Sequence, residues 1–248
     1  MYRMNLDSGK LIRITDEGVM NTQAVGTEQD LFYQSGIDDE GVICDVWQYR
    51  IADGSRQKIL VPAQLKKKLI EEDLMDFSKG EAYSYYVSDL FIRGQKLYYQ
   101  VSLSWMEGET EYQDYVVFRV EPEKTDELIY EKELSELLKN PAENQKAFYK
   151  ESRAPGGGPF RENVIYRSRG GIIRMTEDSA YCVLYDPQEG KNRLGCYDFA
   201  TGQMKYFTRK DVEFTRMLYQ YGETLDPERT VLYTSLWRLP NNEELQVD

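Results

Sequence analysis

Residues 47–60 read Trp47-Gln-Tyr-Arg-Ile51-Ala-Asp-Gly54-Ser-Arg-Gln-Lys-Ile59-Leu60, and this stretch carries the plainest sign of local structure. Aromatic and apolar residues alternate with polar ones up to Ile51, which is the period of a half-buried β-strand. Gly54 ends the turn that follows, and glycine readily adopts the left-handed backbone conformation that tight hairpin turns require. Ile59 and Leu60 supply a second short strand. The stretch therefore predicts a β-hairpin.

The same hairpin pattern recurs along the chain. Residues 2–14 and 197–207 each hold an alternating run, a turn ending in glycine and a second short strand, and residues 118–129 form a degraded copy with a charged turn. The turn glycines of the clear copies are Gly9, Gly54 and Gly202. A repeat of this kind indicates a fold assembled from similar antiparallel units.

A second pattern precedes these hairpins, a short strand ending in tyrosine, as in Lys96-Leu-Tyr-Tyr99 and Asp30-Leu-Phe-Tyr33. Two hairpins in tandem make a four-stranded antiparallel unit, and its recurrence is typical of a β-propeller or a related stacked-sheet array. We therefore predict an all-β fold, a β-propeller or partial propeller of four-stranded antiparallel blades with short helical insertions. The alternative is an ordinary β-sandwich with coincidental turns. Inner strands are predicted at 90–92, 97–99, 172–175 and 231–233, and helices at 62–77 and 131–140.

These strand and turn patterns resemble a family. The chain resembles bacterial β-propellers of unknown function that are similar to low-density-lipoprotein-receptor-type propellers. The resemblance lies in the succession of a strand like Lys96-Leu-Tyr-Tyr99, a strand like Val46-Trp-Gln-Tyr-Arg-Ile51 and an Asp-Gly or Thr-Gly turn. The resemblance covers most of the chain and transfers no catalytic residue. It implies a non-catalytic binding domain in or outside the bacterial cell envelope, with an unknown protein or glycan as ligand.

The repeat pattern also bears on domain organisation, with residues 1–248 predicted to form one β-propeller-like domain. Residues 2–14 form an outer hairpin that lacks an inner one, whereas residues 217–239 supply an inner hairpin. Either the two hairpins close a ring of about four blades, or the chain is a fragment of a longer propeller. Because four-bladed rings are uncommon, the fragment is the favoured interpretation.

Composition excludes several classes of function. The 248 residues include 31 Lys and Arg against 43 Asp and Glu, for a net charge of −12, and no His. Without His, neither Ser-His-Asp nor Cys-His catalysis nor a His-containing zinc site is available. The negative charge disfavours nucleic-acid binding. No apolar run approaches the roughly 18 residues of a membrane helix, and the first ten residues lack the pattern of a signal peptide.

Acidic residues cluster where the second strand of each predicted unit joins the third. If the topology is right, these carboxylates share one end of the molecule and attract a cation or a basic partner. Trp105 and Tyr112 flank one such loop and are the candidate exposed rings. The predicted binding residues are Asp38, Asp39, Trp105, Glu107, Glu109, Tyr112, Asp114 and Asp186. The alternative is solvated loop charge, and because no loop has the spacing of a calcium hand, we expect no metal or other cofactor.

Carboxylates alone serve some glycosidases, so a carbohydrate-active hydrolase is the alternative function. Such an enzyme needs an acid and a base or nucleophile about 5 to 9 Å apart. Asp30 and Asp89 occupy comparable positions near predicted inner-strand ends, although such residues more often belong to turns. We assign no catalytic residue, and the binding module is the favoured interpretation.

The three cysteines are too few for a disulfide scaffold. Cys182 and Cys196 fall in two strands joined by a turn centred on residue 189, so a symmetric hairpin places them directly opposite each other and a bridge becomes sterically possible. The alternative is two buried thiols, because a one-residue register slip turns the side chains to different faces. Cys44 is expected to stand apart.

Overall fold

The structure, a computed structural model, describes eleven stretches of the chain. They are residues 2–4, 9–14, 24–37, 43–79, 83–121, 124–141, 148–153, 159–186, 191–206, 224–226 and 231–233. The fold is mostly β-strand. The all-β prediction is therefore confirmed.

The strands and helices run as follows. The strands are β1 (Tyr2–Met4), β2 (Leu11–Arg13), β3 (Val25–Gly26), β4 (Asp30–Ile37), β5 (Ile43–Arg50), β6 (Arg56–Leu60), β7 (Tyr83–Arg93), β8 (Lys96–Glu107), β9 (Thr110–Glu121), β10 (Lys124–Tyr130), β11 (Phe148–Arg153), β12 (Pro159–Tyr166), β13 (Gly170–Met175), β14 (Ser179–Asp186), β15 (Lys191–Asp198), β16 (Gln203–Tyr206), β17 (Thr224–Asp226) and β18 (Val231–Tyr233). The helices are α1 (Pro62–Glu71) and α2 (Lys132–Leu138), with a 3-10 turn at Phe77–Lys79. All four predicted inner strands are strands, within β7, β8, β13 and β18.

Three groups of four strands follow one another along the chain: β3–β6, β7–β10 and β13–β16. Within each group, the strand pairs whose residue register is known are antiparallel. The four-stranded antiparallel units are therefore confirmed. One addition was not predicted: β12 pairs in parallel with the start of β9, at Thr110–Gln113, and brings β11 with it. How the units are arranged about an axis stays a prediction.

The three predicted hairpin turns have the backbone conformation that their glycines allow. The φ angles are +65° at Gly9, +73° at Gly54 and +67° at Gly202. Each glycine connects two antiparallel strands, β1 with β2, β5 with β6, and β15 with β16. Glycine accepts this left-handed region without the steric cost of a Cβ atom, so the turns are predictable from local sequence.

Both helices form, although each is shorter than predicted. Pro62 occupies the first turn of α1, where its missing N–H costs nothing, and the Gln64 side chain accepts a hydrogen bond from the Val61 N–H at 3.0 Å. The helix stops before Asp73, whose φ of +53° is left-handed. The prediction of one helix to residue 77 was therefore too long.

The described chain divides into two compact units. Unit 1 comprises Met1–Trp105 with Val116–Glu131, and unit 2 comprises Met106–Tyr115 with Lys132–Asp248. The division falls within β8 and β9, so each unit takes part of both strands. A single domain over 1–248 stays a prediction.

The core of unit 1 lies between its two four-stranded groups. Phe32 and Val46 of the first group pack with Leu97, Tyr99 and Phe118 of the second, and all are at most 2% exposed. β3 and β5 contact β7, and β6 contacts β10, so strands of the two groups meet. Burying a large apolar side chain contributes about 1.5–3 kcal/mol, and this shared interior is the main source of the unit's stability.

In unit 2, close packing across β13–β16 depends on glycine. A Cβ atom at Gly170 would lie 1.9 Å from the Val183 carbonyl oxygen, and one at Gly195 would lie 2.6 Å from Met204 Sδ. Gly195 is also the register partner of Cys182, and Cys196 pairs with Tyr181. The prediction that the two cysteines lie directly opposite each other was wrong by one residue. Because side chains alternate along a strand, this offset turns the thiols to opposite faces of the sheet.

Candidate functional site

The β8–β9 hairpin carries the largest set of predicted site residues. Gly108, with φ of +62°, and Glu109 are its only connecting residues. Glu107 and Glu109 are exposed at this tip. Tyr112 and Asp114 lie within strand β9 instead of a loop. The predicted acidic loop is therefore a tight turn followed by a strand.

Asp114 is buried, with 4% of its surface exposed, and its carboxylate is bound by the protein itself. Oδ1 accepts hydrogen bonds from Ser168 Oγ at 2.5 Å and from the Tyr115 N–H at 2.8 Å. Oδ2 accepts from Lys139 Nζ in an ion pair. All four residues belong to unit 2. We call this group the Asp114 cluster.

The backbone explains why these side chains meet. The Asn140 N–H donates to the Arg167 carbonyl at 2.7 Å, and the Arg169 N–H donates to the Leu138 carbonyl at 2.8 Å. This short antiparallel pairing sets Lys139 opposite Ser168. The Arg167 N–H also donates to the Gln113 carbonyl at 2.8 Å, which brings the segment alongside β9. The cluster therefore joins the end of α2, the segment before β13 and β9.

The structure describes one of the three other predicted acidic residues. Asp38 and Asp39 fall outside the described residues. Asp186 is the last residue of β14 and pairs in register with Lys191. The structure thus places three predicted site residues, Glu107, Glu109 and Tyr112, within a few positions of one hairpin turn.

Trp105 and Tyr112 are both half-buried, which corrects the expectation of two exposed rings. Tyr112 pairs in register with Ile165 of β12. Trp105 pairs with Tyr83 across β7 and β8, and its side chain packs against the core of unit 1. Trp105 therefore belongs to a different environment from the acidic turn that follows it in sequence.

That environment is a surface of aromatic rings at the start of β7. Phe77 meets Tyr83 edge to face, with centroids 4.5 Å apart and planes at 90°, and meets Tyr85 at 5.6 Å and 87°. Lys66 of α1 places its ammonium 4.9 Å from the Phe77 centroid and 5.7 Å from that of Tyr83. Tyr83 is 38% exposed. We call Lys66, Phe77, Tyr83, Tyr85 and Trp105 the aromatic surface; all five belong to unit 1.

Sequence reasoning found Trp105 but missed Lys66 and Phe77. Edge-to-face contacts between aromatic rings and an ammonium near ring faces are both favourable, because the ring face is negative and its edge positive. The sequence predicted a helix that continues to residue 77, whereas α1 ends at Glu71 and Phe77 lies beyond it. A helical Phe77 gave no reason to expect its contact with β7. The 3-10 turn at Phe77–Lys79 is stabilised by Asp76, whose Oδ1 accepts from the Ser78 N–H at 2.9 Å.

The two candidate catalytic carboxylates have different surroundings. Asp89 of β7 is 9% exposed, and its Oδ2 accepts from Gln100 Nε2 at 2.6 Å and from Ser88 Oγ at 2.8 Å. Asp30 begins β4, opposite Arg50, and its Oδ1 is buried without a hydrogen-bond partner in the described part of the chain. Asp89 thus has the contacts of a structural acceptor, whereas Asp30 retains an unused acceptor.

Shifts in pKa follow burial and turn geometry. Burial raises the pKa of the Tyr99 hydroxyl and of the Cys182 thiol, since the charged forms lose hydration. Hydrogen bonds from Ser55 lower the pKa of Asp53, and those from Thr201 lower the pKa of Asp198. Both carboxylates accept these bonds within the hairpin turns that Gly54 and Gly202 complete.

The described ranges contain neither a metal-ion cluster nor a membrane-spanning helix. Those residues contain no group of three or more His, Cys, Asp or Glu side chains placed to hold a metal ion. Among the same residues, no helix combines the length and the apolar character needed to cross a membrane.

No protein family matches the chain, and no curated protein is significantly similar to it in sequence.

Proposed function

We propose that the chain is a non-catalytic, β-propeller-type binding domain of a bacterial cell-envelope protein, whose ligand is a glycan or a protein. The repeated four-stranded units support the propeller, because stacking one unit on the next by rotation brings equivalent strands together. In unit 1, the contacts of β3 with β7 and of β6 with β10 support this arrangement, and β5 also contacts β7. The envelope location rests on the resemblance of the strand and turn patterns.

The aromatic surface is the observation that carries a binding role. Its rings hold each other edge to face, so the exposed Tyr83 ring is ordered before any ligand arrives. Binding then costs little further side-chain entropy, and an aromatic ring offers a large apolar face for a sugar or a peptide side chain. The exposed Glu107 and Glu109 offer a separate contact for basic groups of a protein partner.

A panel of glycans and peptides tests the proposal. The full chain and its Tyr83→Ala variant are compared with Tyr86→Ala, a matched control on the same strand. Tyr86 is 41% exposed but alternates to the opposite face of β7. We expect Tyr83→Ala to weaken ligand binding about tenfold and Tyr86→Ala to leave it unchanged. Binding to no member of either panel, or equal losses in both variants, would contradict the role of this surface.

The carbohydrate-active hydrolase stays as the second candidate because Asp30 Oδ1 is buried without a hydrogen-bond partner among the described residues. An unsatisfied acceptor of this kind is costly unless another group uses it. The same glycan panel is read for release of reducing ends. Release that disappears in Asp30→Asn and Asp89→Asn, with folding intact, would establish the hydrolase in place of the binding module.

A further inference from the structure

We infer that the ligand of the aromatic surface is a saccharide bearing a carboxylate, with Lys66 as its charge partner and Tyr83 as its stacking ring. This inference rests on the proposed function and names the ligand class for that same surface. The Lys66 ammonium has an unusual position for a positive charge in a chain whose net charge is −12.

Three consecutive lysines of α1 have different partners. The Lys67 ammonium lies 3.7 Å from a carboxylate oxygen of Glu71, and that of Lys68 lies 2.6 Å from one of Glu72, each pair four residues apart. The residue four positions after Lys66 is Ile70, which cannot pair with a charge. Within the described ranges Lys66 makes no ion pair, and its ammonium rests on the rings of the aromatic surface.

A lysine in this position keeps its capacity to bind an anion. An ammonium has three N–H donors, and its contact with a ring face leaves donors available for a carboxylate. Lys66 is half-buried, and a cation–π contact that is not fully desolvated is weak, so a carboxylate can share the ammonium with the rings. Lys66 is therefore the described group of this surface best suited to an anionic ligand.

The rings define the rest of the ligand. Tyr83 is 38% exposed and lies beside Lys66, and a tyrosine ring has apolar faces on which a sugar ring can stack. Ile70 is 53% exposed and lies one helical turn from Lys66 on the same side of α1, which extends the apolar area. A uronic acid combines the required features in one unit, since its ring has an apolar C–H face and its carboxylate is attached directly to that ring.

Calorimetric titration of the full chain with two oligouronates, of galacturonic and glucuronic acid, and with their methyl esters tests the inference. Each ester removes the charge and keeps the sugar. We expect at least one acid to bind more tightly than its ester, and Lys66→Gln to weaken the acid about fivefold while leaving the ester unchanged. Lys67→Gln is the matched control, because that side chain is 78% exposed and pairs with Glu71. Lys66→Arg should retain the preference for the acid.

The possible failures are distinguishable. Equal affinity for acid and ester, lost in Tyr83→Ala, would overturn the carboxylate inference and leave the binding role intact. Absence of uronate binding together with binding of acidic peptides would overturn the saccharide and retain a binding domain. Equal weakening by Lys66→Gln and Lys67→Gln would show general electrostatics and overturn the specific role of Lys66. Circular dichroism and melting of each variant confirm that it is folded.

Discussion

Replacing Asp114 by Ala should destabilise unit 2 strongly without altering any solvent-exposed charge at the hairpin tip. The side chain of Asp114 is 5% exposed and that of Lys139 is 26% exposed. Removing one member of a buried ion pair costs about 3–5 kcal/mol, because the remaining charge loses its partner. Solvent reaches Lys139, so we expect about 3 kcal/mol for Asp114→Ala, the lower end of that range.

A graded series separates the contributions within the Asp114 cluster. Asp114→Asn keeps an oxygen for Ser168 and the Tyr115 N–H but removes the charge opposite Lys139, and should cost about 1 kcal/mol. Ser168→Ala removes the hydroxyl that donates at 2.5 Å to Asp114 Oδ1. A hydrogen bond to a charged group is worth about 1.5–3 kcal/mol, and this loss should fall between the two Asp114 variants.

Urea unfolding followed by circular dichroism measures these differences. Glu109→Ala is the matched control, because Glu109 is an exposed carboxylate five residues earlier in the same hairpin, and its loss should change stability by less than about 0.5 kcal/mol. Equal stability of Asp114→Ala and Glu109→Ala would refute the reasoning. Loss of ligand binding in Asp114→Asn with unchanged stability would restore Asp114 as a binding residue.

Three further outcomes follow from the same structure. Tyr99→Phe removes a buried hydroxyl without a hydrogen-bond partner in the described chain, so urea unfolding at pH 7 should show equal stability or a gain of up to about 1 kcal/mol. Because burial raises the pKa of Tyr99, this hydroxyl ionises at lower pH in the unfolded chain than in the folded one. The stability of the wild-type protein should therefore fall as pH rises above about 10, by up to about 1.4 kcal/mol per pH unit for this group. The stability of Tyr99→Phe should fall less steeply over the same pH range. Gly170→Ala should lower the melting temperature, because a Cβ atom there would lie 1.9 Å from the Val183 carbonyl oxygen, a backbone atom held by the strand; an unchanged melting temperature would contradict this close approach. Mass spectrometry after thiol labelling of the folded chain should find Cys196 modified before Cys182, which is fully buried with a raised pKa, and a disulfide between them would contradict the observed register.

Local sequence was sufficient for the elements that local forces control. Strand positions follow from the alternation of apolar and polar residues, and the turns at Gly9, Gly54 and Gly202 follow from the left-handed φ that glycine tolerates. Pro62 marks the start of α1 for the same kind of reason, since its fixed φ and missing N–H suit a first helical turn. Each of these signals acts over a few neighbouring residues, so no tertiary information was needed.

The sequence alone did not predict the register of the β14–β15 hairpin. The two cysteines differ from directly opposed positions by a single residue, since Cys182 faces Gly195. Packing of Gly195 against Met204 and Tyr206 favours the observed alignment, and those contacts come from the neighbouring strand β16. A midpoint calculation on the turn includes no such contact.

The character of the candidate site was decided by tertiary structure. The spacing of Trp105, Glu107, Glu109 and Asp114 suggested one acidic loop with aromatic flanks, whereas the structure exposes the two glutamates and buries Asp114 against Ser168 and Lys139. Burial of a charged group depends on which distant residues supply its partners, and here they follow Asp114 by 54 and 25 positions.

The aromatic surface shows the same dependence on distant contacts. A lysine of α1, a phenylalanine beyond the helix and the strands β7 and β8 meet there. The sequence alone determined that the chain forms repeated antiparallel hairpins, because strand period and turn conformation are short-range properties. Only the tertiary structure decided which charges face solvent and which side chains meet, because desolvation and side-chain pairing depend on segments that are far apart in sequence.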